Sequence, residues 1–215
     1  YARQSTYRLA AEEVRDSALR IAGLLSAKVG GRTVFPYQPD GYYADCNTFS
    51  EPAAWFTSAG EDQYRRGLYT FWKRSFLHPS MLAFDAPTRE ECTAERVISN
   101  TPLQALALLN DPSYVEASRV FAERILKEGG ADAESRIQFA FRRALSRNAS
   151  PDEIAVLTAL CQKHYDEFSK EPETAKQAIS VGQAPVPAEV NVAELAAWTS
   201  VARTILNLHE TITRT

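Results

Sequence analysis

The sequence is poor in the signatures that announce known chemistry. Its three cysteines, Cys46, Cys92 and Cys161, stand far apart, so there is no CxxC redox pair, no thiolate zinc pattern and no CxxCH haem attachment. An odd count excludes a fully paired intrachain framework, and leaves open either one disulfide with one free thiol or three free thiols. No uninterrupted apolar run approaches the roughly twenty residues that cross a bilayer. The Gly30-Gly31 pair lacks the GxxxxGK[ST] surroundings of a phosphate loop. A helical pattern rather than a strand precedes it, which also argues against a dinucleotide fingerprint. The formal net charge is -3, so no overall basic field recruits nucleic acid or anionic lipid. There is neither an initiating methionine nor a signal-peptide pattern. The chain opens at Tyr1 in polar, structured-looking sequence, as expected of a portion of something longer, so the missing signal does not fix the compartment.

What is present is ordinary globular material: 215 residues, 45% hydrophobic and 24% charged. Residues 7–28 carry Leu9, Val14, Ala18, Leu19, Ala22 and Leu25 near helical spacing, with a natural stop before Gly30-Gly31. Thr101-Pro102 and Asp111-Pro112 each read as a cap followed by an N1 proline. They start helices bearing Leu103 and Leu106, then Val115, Val120, Phe121 and Leu126, the second stopped by Gly129-Gly130. A further helix spans 132–145. Ser150-Pro151-Asp152-Glu153 supplies cap, N1 proline and capping-box glutamate for another, with Cys161 on its apolar side. From 169 to 189 the composition predicts a solvated helix extension and an internal linker centred on Pro185-Val186-Pro187. Residues 190–209 restore an amphipathic helix, with Trp198 and Val201, that docks back on the earlier core, and His209 falls in an exposed terminal turn. The fold class expected is mainly α: one irregular multi-helix domain over 1–215, with aromatic-rich N-terminal loops and room for short strands.

Residues 32–60 hold Phe35, Tyr37, Tyr42, Tyr43, Phe49, Trp55 and Phe56 among prolines and glycines, an aromatic loop expected to lie across the helical body. Its functional alternative is a ligand surface anchored by tyrosines. The richest material for a site runs from Asp62 to Ser113. Arg65, Arg66, Lys73 and Arg74 concentrate positive charge that can clamp an anion, or pair with nearby carboxylates. The YRRGLYTFWKRSF segment fits helix and strand periodicity equally. His78 can serve as a base if a partner positions it, with Asp85, Glu90 and Glu91 near in sequence. Cys92 is a nucleophile only beside His78, or a disulfide partner for Cys46 only if geometry allows. Asp62, His78, Asp85 and Glu90 are hard-ligand types, but no metal-ligand spacing joins them.

Taken in order, RLAAEEVRDSALRIAGLL, GGRTVFPYQPDGYY, YRRGLYTFWKRSFLHPSMLAFDAPTREEC, SNTPLQALALLNDPSYVEASR and AWTSVARTILNLHE closely resemble the planctomycete PSD1 (DUF1553) domain, from Arg8 to about Glu210. The matching patterns include Tyr64-Arg65-Arg66, Phe71-Trp72-Lys73-Arg74, Phe84-Asp85-Ala86-Pro87, Arg89-Glu90, Cys92, Asn100-Thr101-Pro102-Leu103-Gln104 and Leu109-Asn110-Asp111-Pro112. The resemblance implies the C-terminal portion of a large exported protein in an extracytoplasmic, periplasmic or cell-envelope setting. Such proteins often carry a DUF1549 domain, and sometimes a cytochrome-c-like domain, upstream. Any haem would belong to that separate module, and no cofactor or metal is assigned to this chain. No catalytic mechanism comes with the resemblance.

Two functions follow as expectations. One is a noncatalytic scaffold or ligand-recognition domain whose partner is the upstream module, with a glycan or a redox partner in reach. The other is an enzyme gathering Arg65 or Arg66 with Asp85, Arg89, Glu90 and His78, in which arginine holds an oxygen while a carboxylate or His78 moves a proton.

Overall fold

A computed structural model describes residues 6–39, 42, 55–73, 77–88 and 90–214. Its described part is mainly helical, with α1 (Ala11–Ala22), α2 (Pro79–Ala83), α3 (Pro102–Asn110), α4 (Pro112–Glu128), α5 (Ala133–Leu145), α6 (Pro151–Lys170), α7 (Pro172–Ile179) and α8 (Val192–Leu206). Two short strands, β1 (Tyr7–Arg8) and β2 (Thr213–Arg214), pair antiparallel with Tyr7 opposite Arg214, joining the two ends of the described chain.

The central contact is α4 on α8. Phe121, Ala122 and Ile125 of α4, and Leu195, Val201, Ala202 and Ile205 of α8, are fully buried. Alanines at 117, 122, 197 and 202 leave no bulk between the backbones, which suits close helix packing. Around this pair, α1, α3 and α5 pack on α4, while α6 and α7 pack on α8. The C-terminal helix is therefore half of the core, and it docks on the preceding helices as its apolar spacing predicts.

The Asp111 and Ser150 caps form as the sequence dictates, whereas Thr101 stands at the N-cap of α3 without a side-chain cap bond. Asp111 accepts the Ser113 N–H at 2.8 Å, Asp132 accepts the Ser135 N–H at 2.9 Å, and Asn191 accepts the Glu194 N–H at 3.1 Å. Ser150 and Glu153 form the reciprocal capping box of α6. Arg147 adds a second bond to that box, reaching Glu153 and Glu210 at 2.7 Å each. Its hydrogen bonds hold the Glu153 carboxyl down to about 2.

Three expectations change in detail. The first helix ends at Ala22, because Gly23 takes the left-handed conformation (φ 88°) and donates to the Arg20 carbonyl. Where it is described, the YRRGLYTFWKRSF region forms neither an α-helix nor a named strand. Two 3-10 turns, Gly60–Tyr64 and Gly67–Tyr69, are followed by a parallel bridge between Val34 and Thr70. The reason lies on α1: buried Arg15 donates to the Gln63 and Arg65 carbonyls at 2.7 and 2.6 Å, and Asp16 accepts the Gly67 N–H at 2.7 Å. Side chains thus satisfy backbone groups that a ladder would otherwise pair. Within 169–189, residues Pro172–Ile179 form a separate helix that buries Ala175 and Ile179, in contact with α8.

The aromatic loop does cross the helical body where it is described. Phe35 stacks on Phe71 at 4.9 Å and takes the edge of Trp55 at 5.1 Å, and Tyr37 reaches α4 through Glu116. Tyr43, Cys46, Phe49 and Arg74 lie outside the described residues. Among the described residues no helix is long and apolar enough to cross a membrane.

The core assignment predicts that Phe121→Ala loses about 3–5 kcal/mol of unfolding free energy. Ser150→Ala, which removes the capping box, should cost about 1 kcal/mol. Both are read from urea denaturation midpoints, and comparable small losses for the two variants would contradict this packing.

Candidate functional site

The densest buried polar cluster is centred on Glu116 of α4, a residue that composition and spacing did not single out. Its Oε1 accepts from the Tyr64 hydroxyl at 2.8 Å and from the Gln183 and Ala184 N–H groups at 2.6 Å each, while Oε2 accepts from the Tyr37 hydroxyl at 3.0 Å. Burial, together with the neighbouring carboxylate, pushes both tyrosine hydroxyls well above their ordinary range, so both stay protonated donors. One turn further along α4, buried Arg119 ion-pairs with Glu123 and donates to the Ala184 carbonyl at 2.7 Å. Gly182 makes the approach of this segment feasible: its φ is 100°, and a Cβ there would collide with the Glu116 carboxylate. Four donors from three separate segments of the chain thus converge on one side chain of α4. The cluster is a fastening.

The residues nominated from sequence lie in separate surroundings. Arg65 is buried, lies over the Tyr69 ring at 3.9 Å, and donates to the carbonyls of Gly30 and Arg32. His78 is also buried; its Nε2 donates to the Tyr37 carbonyl at 2.7 Å and its Nδ1 accepts from Ser80 at 3.0 Å. Asp85 takes the left-handed conformation (φ 59°), ion-pairs with Arg8, and accepts the Ser99 N–H at 2.9 Å and its hydroxyl at 2.8 Å. Burial raises the Asp85 carboxyl, but the Arg8 and Ser99 bonds outweigh it and hold the group below the usual carboxylate range. Glu90 and Cys92 are exposed, and Cys92 is a free thiol, as is Cys161 on α6. Burial pushes the Cys161 thiol up to about 11, which suits a packed rather than a reactive cysteine. Arg89 lies outside the described residues. Among Arg65, Arg66, His78, Asp85, Glu90 and Cys92, no hydrogen bond or ion pair joins any two. No group of three His, Cys, Asp or Glu side chains among the described residues is placed to hold a metal ion.

Arg66 is exposed as well. It borders a groove of about 1080 Å³ formed by α1, the Gly67 turn, the C-terminal end of α5 and the strand pair. Arg20, Arg143 and Arg214 border the same groove, with Glu13, Asp16 and Glu210 between them. Burial raises the Asp16 carboxyl, against the lowering effects of the Gly67 N–H and Arg15. Arg20, Arg143 and Glu116 had no sequence signal of their own, since arginines and glutamates on amphipathic helices read as solvated faces.

A second surface has an inverted pattern. On α3, Gln104 is buried and donates to Ser99 while Leu103 and Leu106 are 60% and 54% exposed. Val97 and Ile98, which lead into the helix, are 72% and 64% exposed, and Leu82 of the contacting helix α2 is exposed as well.

Two predictions follow from the buried groups. Glu116→Ala leaves two tyrosine hydroxyls and two N–H groups without their acceptor, and should cost about 3–5 kcal/mol. The same variant should speed hydrogen exchange at Gln183 and Ala184, and unchanged exchange there would contradict the fastening role. For His78, burial lowers the pKa, with Asp111 opposing and Arg15 reinforcing that shift. The unfolded chain therefore binds this proton first on acidification. Stability is full above the unfolded histidine value of about 6.5 and falls below it, by up to about 1.4 kcal/mol per pH unit. A pH series of urea midpoints for the protein and for His78→Gln checks this: the slope below that value should flatten in the variant.

Comparison with known proteins adds one positive finding. No curated protein and no solved structure matches the chain. A family model described as a protein of unknown function, PSD1 (DUF1553), matches residues 1–161, which take in the Asp85–Ser99 network and Glu116 with Tyr37 and Tyr64, but not Gln183 and Ala184. That span is most of the chain, and the chain belongs to the PSD1 (DUF1553) family.

Proposed function

We propose that this chain is a noncatalytic scaffold domain of an exported, multidomain, extracytoplasmic protein, and that it docks a companion domain of the same polypeptide on the apolar face of α3. The observation that carries the reading is the inversion on α3, where Gln104 points inward and Leu103 and Leu106 point outward. Together with Val97, Ile98 and Leu82, they make an apolar surface of the kind that proteins cover with a partner. Behind it, the Gln104 Nε2 donates to the Ser99 carbonyl and hydroxyl and Ser99 bonds Asp85, while the buried Gln104 Oε1 has no partner among the described residues. The exposed leucines therefore belong to a rigidly held segment.

Geometry also favours a companion joined upstream. Arg8, in β1, ion-pairs with Asp85 and donates to the Ser99 carbonyl, so a module preceding Tyr7 is delivered beside the segment that leads into α3. A DUF1549-like domain is the companion that the family resemblance suggests, with redox or glycan-processing chemistry residing there and any haem in a further module. The enzymatic alternative draws less support, because Arg65, His78 and Asp85 are each committed to backbone or side-chain partners in different places.

The test mixes the chain with the DUF1549-like domain of its own parent protein and reads complex formation by light scattering and calorimetry. A complex is expected, weakened at least about tenfold by Leu103→Asp with Leu106→Asp, as for truncation of interface anchors. Equal binding by the double variant would place the interface elsewhere.

A further inference from the structure

We infer that the groove between α1, α5 and the strand pair binds an acidic peptide segment, with its carboxylates on Arg20, Arg66 and Arg143 and its apolar side chains on an aliphatic floor. This face shares no residue with the α3 surface. The inference starts from which charges are already committed. Among the groove's carboxylates, Glu210 is held by Arg147 at 2.7 Å, Glu13 accepts the Ala10 N–H at 3.0 Å, and Asp16 accepts the Gly67 N–H at 2.7 Å. Its arginines are less committed. Arg20 and Arg66 make no hydrogen bond or ion pair through their side chains among the described residues, and Arg143 makes only a 3.3 Å contact to the Arg20 carbonyl. Arg214 is partly engaged, with Thr213 at 2.9 Å and Ser17 at 3.4 Å. Elsewhere Arg15, Arg65, Arg119 and Arg147 each spread their terminal guanidinium donors over at least two partners. Arg66 feels the Asp16 carboxylate and Arg143 that of Glu128, but neither spends a hydrogen-bond donor on it, so three guanidinium forks on one groove keep donors for carboxylates taken two-pronged.

The shape and lining choose among anions. The three arginines come from α1, the turn before Gly67 and α5, and border about 1080 Å³, a space far larger than one phosphate fills. Leu9, Ile21, Leu25 and Leu145 line the same groove, and Tyr7 is its one aromatic side chain among the described residues. Sugars and nucleobases are usually received on aromatic platforms, and the chain's net charge of -3 gives no field for nucleic acid. Aliphatic surface flanked by guanidinium groups instead matches a peptide that alternates acidic and aliphatic side chains.

Fluorescence anisotropy with a labelled synthetic peptide of alternating glutamate and leucine tests this on the full chain. Controls are the same peptide with glutamine for glutamate, and sulfated dextran as a non-peptide polyanion. Arg20→Glu and Arg143→Glu change exposed side chains, and an unchanged thermal midpoint establishes that the variants fold. The acidic peptide should bind in a salt-sensitive way, lose at least about tenfold in affinity in the double variant, and bind more tightly than both the glutamine peptide and sulfated dextran. No binding at about millimolar peptide, equal binding by the folded double variant, equal binding of the glutamine peptide, or a preference for sulfated dextran would each overturn the inference.

Discussion

The Glu116 carboxylate is where the non-helical parts of this protein are fastened to its helices. Tyr37 brings in the aromatic segment, Tyr64 brings in the first 3-10 turn, and Gln183 with Ala184 brings in the connection between α7 and α8. A buried carboxylate is costly unless its lone pairs are filled, and here four donors fill them. The consequence reaches past local stability. Because the connection from α7 to α8 is held on α4, α8 is delivered to the face of α4 where the main core forms.

Buried arginines repeat the same device. Arg15 takes two carbonyls of the Gln63–Arg65 turn, Arg65 takes two carbonyls of the glycine-containing loop before it, and Arg119 takes the Ala184 carbonyl. Irregular backbone over a helical body has few ladder partners, so side chains that carry several donors supply them. That explains why the concentration of arginine around Arg65 is not by itself a site. Arg65 is structural, whereas its neighbour Arg66 points into the groove.

Legibility divided along the same line. Helices α3 to α6 and α8 were readable because caps and apolar spacing are local signals, and Ser150-Pro151-Asp152-Glu153 is a complete one. The end of α1 was misplaced because Gly23 already turns left-handed and closes the helix, ahead of Gly30 and Gly31, which also have positive φ. The YRRGLYTFWKRSF region was ambiguous because its conformation is set by Arg15 and Asp16, some fifty residues away in sequence. Glu116 was invisible for the same reason: its four partners come from residues 37, 64, 183 and 184. The outward leucines of α3 were read as one side of a packed helix, since spacing shows which residues share a face and not which face is covered.

On the proposed reading, a companion domain covers the apolar face of α3. Hydrogen exchange over residues 97–106, compared between this chain alone and the full-length parent, tests it most directly. Docking predicts clear slowing of exchange at those amides in the parent, with the Glu116 cluster protected in both. Equal exchange over 97–106 in the two would contradict it, and would leave α3 an exposed apolar helix without a partner on the same polypeptide.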